Sequence, residues 1–316
     1  MQMAKEAGLH ADVLSSVWHR GADPADDLPP LRRAVDAATA EGVDPILAVW
    51  QLSGDTPTTA AERAAFAAYT VALLKALPDV HTVIVDNEPN LNLFWLPQYD
   101  AAGGDAAAVA YVRLLAATYD AVKAAEPGTT VIGGALSPHG SDDPGAKRQT
   151  HSPTRFLEDM GAAYRASGRT APLMDELSVH VYGESSRVPP TLEHPNSTSI
   201  GIADYAKLVR LVDDAFGGRL PIVYGEYGVE TAIPPVHAGA YTGHEVVEPV
   251  DEATQARYYR QAIELAACQP RVRMLLFFHV LDEVPLAGLQ SGLYYADGAP
   301  KESARVVRDT PVTCRR

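Results

Sequence analysis

Two glutamates stand at the ends of strand-like segments, where they could take part in acid–base chemistry. Glu88 lies in the stretch HTVIVDNEPN (residues 81–90), in which an apolar run typical of a buried parallel strand breaks at Pro89. Because Pro89 has no amide hydrogen and disfavours helix before it, the strand must end near Glu88. Glu226 closes the run LPIVYGE (residues 220–226) in the same way. Two such carboxylates could divide one reaction, one transferring a proton while the other attacks or activates water.

Strand-like and helix-like segments alternate along the chain, which is the rhythm of a parallel sheet with crossover helices. Besides the run before Glu88, the predicted strands are residues 12–18, 45–51, 131–136, 176–182, 220–226 and 273–280. The predicted helices are residues 31–41, 59–77, 105–126, 153–167, 202–216, 252–267 and 302–309, and a hairpin-like piece covers 291–297. No linker-like boundary interrupts the pattern, so we expect residues 1–316 to form a single domain.

The alternation predicts a (β/α)₈ barrel, in which active sites lie at the carboxyl ends of the strands. A doubly wound sheet is the alternative, but no glycine-rich phosphate loop follows any of the strands. In a barrel, Glu88 and Glu226 would face the same mouth, an arrangement that suits cleavage of a glycosidic bond. The alternative is that each is an unrelated strand-end carboxylate that caps its own loop.

The residues around both glutamates resemble those of the clan A glycoside hydrolases, which are retaining (β/α)₈ enzymes. In that clan the acid/base is the glutamate of an Asn-Glu-Pro motif after strand four, which Asn87-Glu88-Pro89 matches. The nucleophile is a glutamate that ends strand seven, as Glu226 does here. The resemblance extends to His180 and Tyr182 in the sixth barrel strand and to Phe278-His279 in the last. The pattern is similar to the family 5 and family 39 groups.

The resemblance implies a role for each of the matching residues. Glu88 would be the acid/base and Glu226 the nucleophile, with Glu230 as an alternative nucleophile four residues further on. Asn87 would bind the sugar 2-hydroxyl, a contact that strengthens in the transition state. Tyr182 would donate a hydrogen bond to Glu226; its alternative role is that of an aromatic packed inside the barrel.

Several aromatic and imidazole side chains near strand ends are candidates for binding a sugar. Trp18, Trp50 and Trp95 could stack on the apolar faces of a sugar, and the alternative for each is ordinary core packing. We favour Trp95 for substrate contact, because it follows Glu88 in a long polar loop. His180 and His279 complete the predicted substrate-binding set.

Histidine also supports a competing hypothesis, that of a metal-dependent barrel hydrolase. His19, His180 and His279 all lie near strand ends and could converge on one ion. No His-x-His or His-Glu-x-x-His spacing accompanies them. A barrel that binds carbohydrate without cleaving it is the third alternative.

Charge and hydropathy narrow the range of partners. With 26 basic and 40 acidic residues the formal net charge is −14, which argues against nucleic acid or an anionic membrane surface. No apolar run approaches the roughly 18–20 residues that cross a bilayer. We expect a monomer with a carbohydrate substrate and no cofactor, because carboxylates supply both proton transfer and attack. Cys268 and Cys314 either pair or stay free.

The number of predicted strands is one short of a full barrel. If Glu88 ends strand four, residues 12–18 must form strand two, and the residues before them (MQMAKEAGLHA) read as the end of a helix with Gly8 as its stop. We therefore expect the first strand to be absent, together with any secretion signal, and the two end strands to have unpaired edges. The alternative is that the tail near Val312 fills the gap.

Overall fold

The chain forms one parallel sheet whose strands follow each other in sequence order. The computed structural model describes residues 1–314. Its strands are β1 (Ala11–Val17), β2 (Asp44–Trp50), β3 (Thr82–Val85), β4 (Thr130–Leu136), β5 (Glu176–His180), β6 (Ile222–Tyr227) and β7 (Val272–Phe277). The sheet order is β1-β2-β3-β4-β5-β6-β7, and every pairing is parallel. A helix follows each strand, so the architecture is that of a (β/α)₈-type barrel with seven strands.

The helices lie where the hydrophobic periodicity predicts them, with one clear difference. They are α1 (Gln2–Glu6), α2 (Pro24–Glu41), α3 (Ala60–Ala76), α4 (Ala106–Ala125), α5 (Pro153–Ala166), α6 (Tyr205–Phe216), α7 (Glu252–Ala267) and α8 (Glu302–Asp309). The prediction that α2 starts at Leu31 is wrong. Asp23 caps the helix by accepting from the Ala25 amide, and Pro24 fits the first turn, so Pro29 and Pro30 lie inside it. No helix within residues 1–314 is long and apolar enough to span a membrane.

Alternating side chains of the strands pack on two different surfaces. One set, including Leu47, Val83 and Val131, joins the helices in the large core between sheet and helices. The intervening set, including Ile46, Ile84 and Ile132, forms a smaller apolar cluster. Because successive strand residues point to opposite faces, the smaller cluster lies on the concave face of the sheet, inside the barrel.

The barrel is open between its first and last strands. Within residues 1–314, no strand pairs with the outer edge of β1 or of β7. The predicted barrel short of one strand is therefore confirmed, and the predicted N-terminal helix, with Gly8 in a left-handed turn after it, is present. The hypothesis that the tail fills the gap is wrong: Val312 lies beside the opening, in no strand and largely exposed.

Candidate active site

Glu88 is held at the mouth of the barrel by an unusual stretch of backbone. The chain leaves β3 through Asp86, with φ of 74°, and reaches Glu88, with φ of 41°. Non-glycine residues seldom adopt this left-handed region, and such strain persists only where the surroundings fix it. Two hydrogen bonds do so here: the Asp86 amide donates to Val49 O over 2.8 Å, and the Glu88 amide donates to Ala135 O over 2.9 Å. The turn therefore directs the Glu88 carboxyl across the barrel mouth.

Glu226 lies within β6, and His180 lies close to both Glu226 and Glu88. The Tyr182 hydroxyl donates to Glu226 Oε2 over 3.0 Å. His180 Nδ1 lies 2.8 Å from Glu88 Oε1 and 3.4 Å from Glu226 Oε2. One oxygen of each carboxylate and a ring nitrogen of His180 all lie within 4.8 Å of one another. The structure thus brings both predicted catalytic glutamates to one end of the barrel, with an imidazole between them.

The register between β5 and β6 sets the position of His180. The pairing shifts between Val179 and His180, an irregularity that places His180 opposite Glu226. Gly225 makes this close approach sterically feasible. A Cβ atom there would lie 2.2 Å from Ser178 Oγ and 3.3 Å from His180 Cδ2. The glycine before Glu226 is therefore a requirement of packing beneath the His180 ring.

Burial and charge oppose each other at this site. Burial raises the pKa of Glu226, and the nearby Glu88 adds to that effect, while His180 and the Tyr182 hydrogen bond lower it; the net shift is upward. For His180, burial alone would lower the pKa, but the charges of Glu226 and Glu88 and the Glu88 hydrogen bond raise it above its ordinary value. Each group thus depends on the ionisation of the others.

Asp86 is a buried acid beside the site that the sequence does not mark as functional. Its side chain is fully buried, and burial raises its pKa to about 7. Its Oδ1 accepts from the Gln51 side chain over 3.0 Å and from the Asn87 amide over 2.7 Å. Asp86 therefore fixes the backbone at Asn87, one residue before Glu88. Its position in the Asp-Asn-Glu-Pro run is the only signal that could have marked it.

A cavity of about 1030 Å³ surrounds the two carboxylates and extends to the gap between β1 and β7. Of the predicted substrate-binding residues, it is lined by Asn87, His180, Tyr182 and Trp50. Trp50 packs edge to face on Phe94, with 5.8 Å between ring centroids, and Phe94 lines the cavity too. These aromatic rings form an apolar wall within the same cavity as the carboxylates.

Two of the three tryptophans lie in the core. Trp18 is 2% exposed and packs edge to face on Phe66, and Trp95 is fully buried against Tyr111. Neither lines the cavity around the carboxylates. The prediction that Trp18 and Trp95 bind a sugar is therefore corrected: both pack in the core. The loop after Glu88 turns into the core at Trp95, while Phe94, one residue earlier, lines the cavity.

The three histidines of the metal hypothesis do not converge. His19 contacts the Arg20 carbonyl, and His279 lies between Ser291 and Glu283, outside the main cavity. The prediction that His279 binds substrate is therefore corrected as well. In residues 1–314, the group close enough to share one ion is Glu88, His180 and Glu226. Glu230, the alternative nucleophile, lines a separate cavity.

Comparison with known proteins relates the fold to glycoside hydrolases. No family model matches the sequence, and none of the curated proteins matches it. Among solved structures, a family 39 glycoside hydrolase from Bacteroides cellulosilyticus is similar over 98% of this chain and 60% of its own, with a TM-score of 0.68 and 17% identity.

Two further structures share the fold. A GH5-4 broad specificity endoglucanase from Clostridium longisporum has a TM-score of 0.61 at 14% identity, over 97% of this chain and 83% of its own. A beta-glucosidase from Exiguobacterium marinum has a TM-score of 0.61 at 14% identity, over 97% and 84%. At 14–17% identity these likenesses show the fold, a (β/α)₈-type barrel shared with glycoside hydrolases, and this chain spans 60% of the length of the family 39 structure.

Proposed function

We propose that this protein is a retaining glycoside hydrolase that cleaves O-glycosidic bonds, with Glu88 as acid/base and Glu226 as nucleophile. The observation that carries the proposal is the proximity of the two carboxylates, whose nearest oxygens lie within 4.8 Å of each other at the barrel mouth. Retaining enzymes place their carboxyl groups about 5–5.5 Å apart, whereas inverting enzymes leave about 6.5–9.5 Å for a water molecule. Nearest oxygens within 4.8 Å fit the retaining spacing, which supports direct attack by a carboxylate.

The reaction divides into two displacements. The Glu226 carboxylate attacks the anomeric carbon while Glu88 donates its proton to the leaving oxygen, giving a glycosyl ester on Glu226. Glu88, now ionised, takes a proton from water, and the water oxygen attacks the same carbon. The ester bond breaks, the sugar leaves with retained configuration, and both glutamates return to their starting states. Carboxylate chemistry accounts for every proton and bond.

The surrounding side chains support these roles. Tyr182 donates a hydrogen bond to Glu226, and the charge of His180 lies close to it. Both lower the pKa of Glu226, which counteracts the effect of burial and favours the ionised nucleophile. Asn87 lines the same cavity one residue before Glu88, where it can hydrogen-bond a sugar hydroxyl. Trp50 and Phe94 offer ring surfaces for the apolar face of a sugar.

Covalent trapping tests the proposal. The full chain is incubated with a panel of 2-deoxy-2-fluoroglycosides carrying good leaving groups, digested and analysed by peptide mass spectrometry. We expect one fluoroglycosyl label on Glu226, no label in Glu226→Ala, and an unchanged label in Glu230→Gln. Hydrolysis of glycosides that a chelator abolishes, without labelling, would favour the metal-dependent hydrolase. Saccharide binding without turnover would favour the non-catalytic barrel.

A further inference from the structure

A second cavity adjoins the one that holds the two carboxylates. Its volume is about 240 Å³, and Tyr182 and Leu289 line both cavities, so the two are neighbours. Its other walls include Ser185 and Ser186 after β5, Glu230 after β6, and Ser291. The two cavities therefore share part of their walls, and apart from Tyr182 the second is lined by residues outside the catalytic set.

The second cavity contains a buried carboxyl oxygen that lacks a partner. Glu230 is 9% exposed, and its Oε2 accepts no hydrogen bond from any residue in 1–314. The backbone around it is fixed: the Glu230 amide donates to Ser186 Oγ over 2.9 Å, and the Glu230 carbonyl accepts from the Val250 amide over 2.9 Å. A buried polar atom without a partner is destabilising, so its presence at a cavity wall points to a ligand that completes it.

The chemistry of the walls indicates the class of ligand. Burial, together with the neighbouring Glu245, raises the pKa of Glu230 to about 7, so near neutral pH its carboxyl either donates or accepts a hydrogen bond. Sugar hydroxyls can take either role. Glu184 and Glu248 line the same cavity, so their charges disfavour an anionic ligand such as a uronic acid. Leu289 and Val247 supply apolar surface for ring C–H groups.

We propose that this second cavity is a saccharide subsite for a neutral sugar unit adjacent to the one that is cleaved, and that Glu230 is its binding residue. The inference rests on the proposed glycosidase function. A subsite there would account for the fixed, buried backbone at Glu230. It also implies that the substrates are oligosaccharides of neutral sugars, because a single sugar would leave the second cavity empty.

Kinetics on matched substrates test the subsite. An aryl monoglycoside and a trisaccharide of the same sugar are compared in wild type, Glu230→Ala and the isosteric Glu230→Gln. Loss of one buried hydrogen bond predicts that Glu230→Ala lowers kcat/KM on the trisaccharide about tenfold, while the monoglycoside changes less than about twofold. The control is Glu158→Gln, whose side chain is exposed beside Arg155 and lines neither cavity; it should leave the activity on both substrates unchanged.

The pH profile separates Glu230 from a merely structural residue. Because Gln cannot ionise, the ratio of trisaccharide to monoglycoside activity should change across about pH 7 in wild type and stay flat in Glu230→Gln. Equal losses on both substrates, or none on either, would overturn the subsite. If wild type cleaves no glycoside, the proposed function fails separately. In that case calorimetric titration with the trisaccharide tests the subsite by itself. Binding to Glu230→Ala that is about tenfold weaker than binding to wild type supports the subsite, and equal binding refutes it.

Discussion

His180 Nδ1 lies 2.8 Å from Glu88 Oε1, although the two residues are 92 positions apart in the chain. The same nitrogen lies 3.4 Å from Glu226 Oε2. One imidazole therefore joins carboxylates that come from the ends of β3 and β6. Because all three groups can ionise, a change at His180 should be visible in the pH dependence of the reaction.

Replacing His180 by asparagine should move the acid limb of the kcat/KM profile to higher pH. In the proposed mechanism Glu226 must be ionised to attack, so we expect activity to be lost as pH falls through the Glu226 pKa, which burial already raises. The positive charge on His180 lowers that pKa, and its removal should raise it by about 1 unit. His279→Asn, which removes an imidazole outside the main cavity, should leave the limb in place. If the acid limb of the profile stays in place in His180→Asn, the charge of His180 does not control the pKa of Glu226.

Much of this site was predictable because it follows local rules. Pro89 must end a strand, and Glu226 follows an apolar run, so both carboxylates could be assigned to strand ends. The role of Asp86 could not, because its burial results from Gln51 and the neighbouring strands and not from its own sequence context. The bridging position of His180 likewise depends on the register shift in β5, which no local pattern marks.

Asp86→Asn should flatten the dependence of stability on pH. The folded-state pKa of Asp86 is about 7, above its ordinary unfolded value, so the folded protein holds a proton that the unfolded chain releases near pH 4. Stability from this group is therefore lost as pH rises toward and through 7. Denaturant unfolding should show a wild-type loss of roughly 2–4 kcal/mol between pH 4.5 and 8 that the variant lacks. Parallel stability curves would show that Asp86 does not titrate in this window.

The aromatic residues show where local patterns fail. Trp18, Trp50 and Trp95 all stand near strand ends, yet Trp50 alone lines the main cavity. Whether a ring near a strand end faces the interior or the helices depends on how the loop continues. The loop after Glu88 turns back through Trp95 and Gln98, which hydrogen-bonds Pro89 O and Trp95 O. That fold depends on contacts that no short pattern reports.

Cys268 and Cys314 form a disulfide, and removing it should destabilise the last part of the barrel. The bond links residues 46 positions apart, and the loop it closes contains β7 and α8. Restricting a loop of this length in the unfolded chain stabilises the folded protein by about 2–4 kcal/mol. The free energy of unfolding of the double variant Cys268→Ser, Cys314→Ser should therefore be lower by that amount in denaturant unfolding. A reduced wild type serves as the matched control and should behave like the double variant. Unchanged stability in both would show that the tail contributes nothing to holding β7.

The roles of the two glutamates are tested most directly by comparing Glu88→Ala with Glu226→Ala on an activated aryl glycoside in the presence of azide. An activated leaving group needs little protonation, so Glu88→Ala should still form the glycosyl ester, and azide should restore turnover by attacking it. The product should be a glycosyl azide of retained configuration. Glu226→Ala should form no ester and should give no such product. Equal loss in both variants, without rescue of Glu88→Ala, would contradict the assignment of acid/base and nucleophile.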